Sequence, residues 1–152
     1  MATPVTRVED TEELIRRVPA ESSYDNAGGD LRLSSTAFND AQFQPSVDRR
    51  NMRASTDACK QRPTDGLLLL IADEVRKILL PQMNNKGKPT GIHYQIDVIH
   101  RPVELDNPQR LPENPAHSQI ESTPDLNGSR FNKLKEALAR LAEKHGWLVK
   151  PS

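Results

Sequence analysis

The run Leu67-Leu68-Leu69-Leu70-Ile71-Ala72 is the longest apolar stretch of this chain, and Pro63 and Pro81 fence it on either side. It is far too short to cross a bilayer, which takes ~20 apolar residues in a helix. It must therefore find its apolar surroundings inside a folded core. Two forms are open to it. Gly66 can open a strand, Leu67 to Ile71, buried on both faces. A helix over Asp73 to Leu80 would then follow, with Val75, Ile78 and Leu79 on one side. Alternatively a single helix runs from about Thr64, as its cap, to Leu80. Leu67 to Leu70 lacks β-branched residues and leucine is a strong helix former. The single helix near 64–80 is thus the expected form, and Pro81 stops it.

The most regular pattern lies at the other end. Phe131, Leu134, Leu138, Leu141, Ala142 and His145 recur at helical spacing, which predicts a terminal helix capped by Ser129. Gly146 stands where a helix favours a left-handed residue. Trp147 and Leu148 then fold back on the core or leave as a strand. Ile92, Tyr94, Ile96 and Val98 alternate with His93, Gln95 and Asp97, which predicts a half-buried strand. Leu31 to Ser34 alternates as a strand too, and Ala116 to Glu121 has the length of one. Leu14 to Val18, stopped by Pro19, reads as a strand or as the end of a helix from Thr11. Ser22 to Asp30 reads as a loop with Gly28-Gly29 at its tip. Residues 39–64 are polar and broken by proline, with a short helix expected over Thr56 to Gln61. Asp106 to Pro115 reads as a long loop.

The apolar fraction is 35% and twelve residues are proline, which predicts a modest core with long irregular connections. At 152 residues the chain has the length of one domain. Residues 1–12 form a polar lead-in, and residues 13–152 form the domain. The fold class expected is α+β: a few-stranded sheet packed against the terminal helix and the helix near 64–80.

The chain is neutral as a whole, with 21 basic and 21 acidic residues, but its charges are segregated. Seven acids face three arginines over residues 1–30; five basic residues face two acids over 48–62; six face two over 129–150. The basic stretches complement the acidic N-terminal part, and the basic terminal helix leaves nucleic acid open as a partner. The single cysteine, Cys59, excludes an internal disulfide and fits a reducing cytoplasm. Met1-Ala2-Thr3-Pro4 lacks the apolar core of a signal peptide. No membrane partner is expected.

Several short strings are richer in hydroxyls, His and charge than a solvated loop needs. They are Leu33-Ser34-Ser35-Thr36-Ala37-Phe38-Asn39-Asp40, Pro45-Ser46-Val47-Asp48-Arg49, Val98-Ile99-His100-Arg101-Pro102 and Asn114-Pro115-Ala116-His117. Together with the terminal helix they resemble a group of small bacterial proteins with no assigned activity, marked by Ser-Ser-x-Ala-Phe-x-Asp, Ser-Val-Asp and Asn-Pro-Ala-His segments. The resemblance spans roughly residues 13–122, with a longer insert around 81–91. It implies no chemistry.

The candidate ligand-binding residues are Ser35, Thr36, Asp48, Arg49, His100 and His117. His100, His117 and Glu121 could converge if their strands are neighbours, but no fixed short metal-ligand spacing is present. No metal is expected. Ser34 to Thr36 lack the Gly-x-Ser-x-Gly elbow and satisfy backbone groups at a strand end more simply. The order Arg16/Arg17, Tyr24, Gly28-Gly29, Ser34-Ser35-Thr36, Glu121 is loosely similar to the Arg / Ser-Thr-Ser / Glu order of ADP-ribosyltransferase-type toxins. That likeness implies Arg17 on an NAD pyrophosphate, Ser34 organising the ribose and Glu121 stabilising a cationic transition state. NAD is a cofactor under that reading alone. The reading put first is a bacterial accessory protein that binds another protein. The Ser34–Phe38 and Asn114–His117 segments are expected to be neighbours.

Overall fold

The computed structural model describes residues 3–20, 24–25 and 31–152. Most of the expected glycine-tipped loop of residues 22–30, including Gly28 and Gly29, lies outside the described residues. Nine strands and two α-helices are described. In chain order they are β1 (Glu13–Val18), β2 (Tyr24–Asp25), β3 (Arg32–Leu33), β4 (Ser46–Arg49), β5 (Gly66–Ile71), α1 (Ala72–Arg76), β6 (Leu80–Met83), β7 (Pro89–His100), β8 (His117–Thr123), α2 (Gly128–His145) and β9 (Trp147–Val149). Seven strands form one sheet in the order β6-β7-β8-β4-β1-β5-β9. β2 and β3 form a separate two-stranded antiparallel sheet. The fold is therefore mixed α+β, with one long C-terminal helix.

The Leu67–Ile71 run is a strand. A single helix over 64–80 does not form, and only Ala72–Arg76 is helical there. The reason is tertiary: β5 pairs along its whole length with β1 and at Leu67 and Leu68 with β9. A strand with neighbours on both sides buries leucine on both faces, and that burial outweighs leucine's small helical preference. Pro81 sits inside β6, an edge strand, where its missing N–H costs no ladder bond.

Alternation sorts the side chains. Leu14 and Val18 of β1, Val47 of β4, Leu68 and Leu70 of β5, Ile96 and Val98 of β7 and Ile120 of β8 join one core with Phe131, Leu134, Leu138, Ala139 and Ala142 of α2. Helix α2 thus covers one face of the sheet. Its N-cap is Asn127, whose side chain accepts from the Arg130 N–H, and Gly146 ends it at φ 71°. The opposite face carries a smaller cluster, Ile15, Cys59 and Leu67, with Leu148 and Val149 against it.

Although β8, β4 and β1 separate β7 from β5, α1 at the end of β5 reaches back to β7. Arg76 donates through Nε to Asp97 (2.7 Å) and through Nη2 to the Val98 carbonyl (3.5 Å). The sheet therefore curls, and α2 fills its concave side. Residues 3–12 run along this closure. Val8 is fully buried, Asp10 accepts from Arg76, and Thr6 and Arg7 offer their carbonyls to Arg49. Among the described residues no helix is long and apolar enough to cross a membrane.

Candidate functional site

The convex face at β4, β8 and β7 gathers polar side chains. Its register sets Ser46 opposite Gln119 and Asp48 opposite His117, then Glu121 opposite Asp97 and Gln119 opposite Ile99. The alternating burial of β8 turns Ser118 and Ile120 inward, so His117, Gln119 and Glu121 share the outer face.

His117 is the centre of this group. Its Nδ1 lies 2.7 Å from the Arg101 carbonyl and its Nε2 lies 3.0 Å from Ser46 Oγ. A carbonyl only accepts, so Nδ1 carries a proton, and in the neutral ring Nε2 is the acceptor for the serine hydroxyl. The Arg101 backbone N–H donates in turn to the His117 carbonyl (2.9 Å). The Arg101 side chain grips Glu121 with two bonds, 2.9 and 3.0 Å. Asp48 accepts from Arg53 Nε (3.0 Å) and from Asn114 (2.8 Å). Beneath it, burial and the nearby Asp48 carboxylate push the Cys59 thiol up to about 12. Such a thiol is inert at neutral pH.

Arg49 and His100 lie on the concave side instead. Arg49 alternates inward on β4 and binds both oxygens of Glu12 (2.8 Å each) and the Thr6 hydroxyl (2.6 Å). Burial opposes ionisation of Glu12, but the Arg49 bonds and the Glu9 N–H outweigh it and hold the carboxyl below its usual range. His100 accepts the Thr6 N–H at Nδ1 (3.0 Å) and donates from Nε2 to the Pro115 carbonyl (2.7 Å). Both its ring nitrogens are committed to backbone, so this histidine ties the N-terminal segment to the sheet.

Arg17, Ser34 and Glu121 do not meet. Arg17 reaches Asp65 at 3.4 Å. Ser34 caps the 3-10 turn Ser35–Phe38, accepting from the Thr36 N–H and hydroxyl. That turn lies on the α2 side of the sheet, where Leu33 bonds both Glu143 and Arg140 of the helix. Glu121 lies on the far side with Arg101. Ser35 is half-buried, and its side chain makes no hydrogen bond among the described residues. The Ser34–Phe38 and Asn114–His117 segments are linked through Ser46. Half-buried Arg16 donates to the Ala37 and Asn39 carbonyls and to the Ser46 carbonyl (3.0, 3.1 and 2.8 Å), while the Ser46 hydroxyl meets His117. Desolvation lowers the Arg16 guanidinium to about 10.

The loop between β7 and β8 stands at the root of this group. A bridge of two backbone bonds, Val103 with Asn114, closes it (2.9 and 2.8 Å). Inside it, Asn107 donates to the Glu104 and Leu111 carbonyls and accepts from the Leu111 N–H. Asp106 and Arg110 are held at φ 61° and 56°, a conformation uncommon for residues other than glycine. Glu104 receives the Thr3 N–H on both oxygens. Leu105 is 69% exposed, Leu111 53%, and Val5, two residues beyond Thr3, 69%.

A third non-glycine residue of positive φ, Phe43 (63°), stacks on Phe131 at 4.8 Å. Two clefts of about 320 and 500 Å³ flank it. Asp40 explains its backbone, because one carboxylate oxygen accepts from the N–H groups of Gln42 and Gln44. Sequence reasoning had Ser46 inside one of the singled-out strings and Arg16 as an alternative to Arg17, but gave neither a partner, and it read the 103–114 region only as a long loop. Among the described residues, no group of three or more His, Cys, Asp or Glu could hold a metal. No family model, curated protein or solved structure matches this chain.

Proposed function

We propose that this protein is a binding module for another protein, and that the 103–114 loop is its recognition element. The observation that carries this reading is the loop's construction. It is closed by a backbone bridge, organised by one asparagine and held at two unfavourable φ angles, yet it directs two leucines into solvent. Strained residues of this kind persist only where the surroundings over-determine them, and they cluster at sites of function. Exposed apolar side chains on an ordered loop supply contact area without the entropy cost of ordering it on binding. The exposed acids Asp106 and Glu113 outnumber the one exposed cation of the loop, Arg110, so a partner offering an apolar pocket with a basic rim is the complementary surface.

The nucleic-acid reading draws less support from α2, because Lys133, Arg140 and Lys144 each pair with a carboxylate. The NAD reading draws less support too, because Arg17, Ser34 and Glu121 each bond different neighbours and not one another, where one NAD needs them in a single pocket. We place the binding in the cytoplasm, where Cys59 stays reduced.

A photo-crosslinking residue at Leu105, irradiated in extract of the native cell, tests the reading. The expected result is one adduct of defined mass, lost when Leu111 is changed to Asp, and missing when the crosslinker stands at Lys133 instead. The same adducts from both positions, or none from Leu105, would contradict it.

A further inference from the structure

We propose that Ser46 and His117 form a nucleophile–base pair that takes an acyl group from an activated carboxylic ester. This goes beyond partner binding and stands on different residues. The argument begins with the proton positions. Because the Arg101 carbonyl fixes the His117 proton on Nδ1, the Nε2 lone pair faces Ser46 Oγ at 3.0 Å. With the ring neutral, the bond between them is one in which the hydroxyl donates into that lone pair. A nucleophile bonded to a base, with the base oriented by a third group, is the arrangement that activates a serine. Here a backbone carbonyl does the orienting that a carboxylate does in the familiar triad.

The pair is rigidly mounted. Ser46 and His117 sit on adjacent strands, β4 and β8, and Arg16 fixes the Ser46 carbonyl from the other side. Catalytic groups on strands are held more closely than groups on loops. Both side chains are half-buried, so a small ester can reach them from the convex face. Gln119 lies directly opposite Ser46. Side chains so placed have Cβ atoms ~4.5–5.5 Å apart. Its amide makes no hydrogen bond among the described residues, so it is free to donate to an oxygen that becomes negative next to Ser46. Ile99, opposite Gln119, gives the acyl chain an apolar wall.

The step balances without a co-reactant. Ser46 Oγ bonds the ester carbonyl carbon while its proton passes to His117 Nε2. The carbonyl oxygen takes the charge and receives the Gln119 N–H. The carbon–oxygen bond to the leaving alcohol then breaks, and Nε2 returns the proton to that alcohol. Water then gives a proton to the same Nε2 and bonds the acyl carbon; the carbon–Oγ bond breaks, Ser46 Oγ takes the proton back from Nε2, and the carboxylic acid leaves.

Two probes test this on the intact protein: an alkyl fluorophosphonate and p-nitrophenyl acetate, each followed by peptide mass mapping. The expected result is a single adduct on the peptide carrying Ser46, with an equimolar burst of nitrophenolate. Ser46→Ala should abolish the adduct, and His117→Gln should slow it about 100-fold or more. Gln119→Ala should slow it by ~10²-fold as a lost oxyanion donor does. Modification elsewhere with Ser46 untouched, or a rate that His117→Gln leaves unchanged at an unaltered melting temperature, would overturn the proposal. Should His117→Gln fail to fold, the adduct position in the wild-type protein decides alone. Crosslinking through Leu105 is unaffected by Ser46→Ala, so the two readings fail separately.

Discussion

Replacing Arg49 by Met isolates the ion pair that ties the N-terminal segment to the sheet. Arg49 and Glu12 are only 5% and 8% exposed. The arginine makes two bonds to the Glu12 carboxylate and further bonds to Thr6 and Arg7. Arg49→Met leaves Glu12 with only neutral donors, the Glu9 N–H and the Asn51 side chain. Breaking a buried pair from one side costs about 3–5 kcal/mol, because an uncompensated charge stays behind. In a chain of this length that corresponds to a fall of about 6–20 °C in melting temperature. Adding Glu12→Leu removes the stranded charge. The double variant should recover to a net loss of ~1–3 kcal/mol, the cost of the Thr6 and Arg7 groups that still lack their donor. Denaturant unfolding of both single variants and the double variant at neutral pH measures the cycle. An Arg49→Met cost under ~1 kcal/mol, or a double variant as unstable as the sum of the singles, would refute the reasoning.

Leu138→Ala should cost ~2–5 kcal/mol, since Leu138 is fully buried where α2 meets the sheet; an unchanged melt would show the helix to be peripheral. Acid should destabilise the fold through three carboxyls. Glu12 and Asp65 are held low by hydrogen bonds that outweigh their burial, and Glu74 by its bonds to Lys144 and His145. Lowered folded values mean stability fully present above the ordinary carboxylate range, ~4, and lost progressively as pH falls below it; a flat stability profile from pH 5 to 2 would contradict this. Cys59 should resist iodoacetamide at pH 8 in the native state and react on unfolding, because burial holds its thiol up to about 12; stoichiometric native alkylation would contradict its placement.

The elements that alternate or repeat locally were legible in the sequence. The terminal helix is where its apolar stripe puts it, and its start differs only in that Asn127, not Ser129, is the cap. The strand over Ile92 to Val98 is there, extended to Pro89–His100. The form of Leu67–Ile71 was not legible, because it depends on strands β1 and β9 that lie far away in the chain. The same distance hid the site. Asp48, His117 and Glu121 share a face because β4 pairs with β8 across some seventy residues of chain. His100 could have been set apart from them by counting alone. It falls in step with Ile96 and Val98, the buried positions of its strand, whereas Asp97 and Ile99 face outward. Ser46 stood in a string already marked as rich in hydroxyl and charge, but its pairing with His117 was not legible, because the region 39–64 read as polar loop and the strand β4 that carries it depends on β8, some seventy residues away.

Backbone amide relaxation of residues 103–114 in the free protein tests most directly whether the recognition loop is built before its partner arrives. Order parameters near ~0.85, the value of rigid backbone, are expected throughout, with a fall at Leu105 and Leu111 on Asn107→Ala. Values below ~0.6 in the wild-type loop would mean that it is ordered by binding, and would contradict the claim that its exposed leucines are held ready.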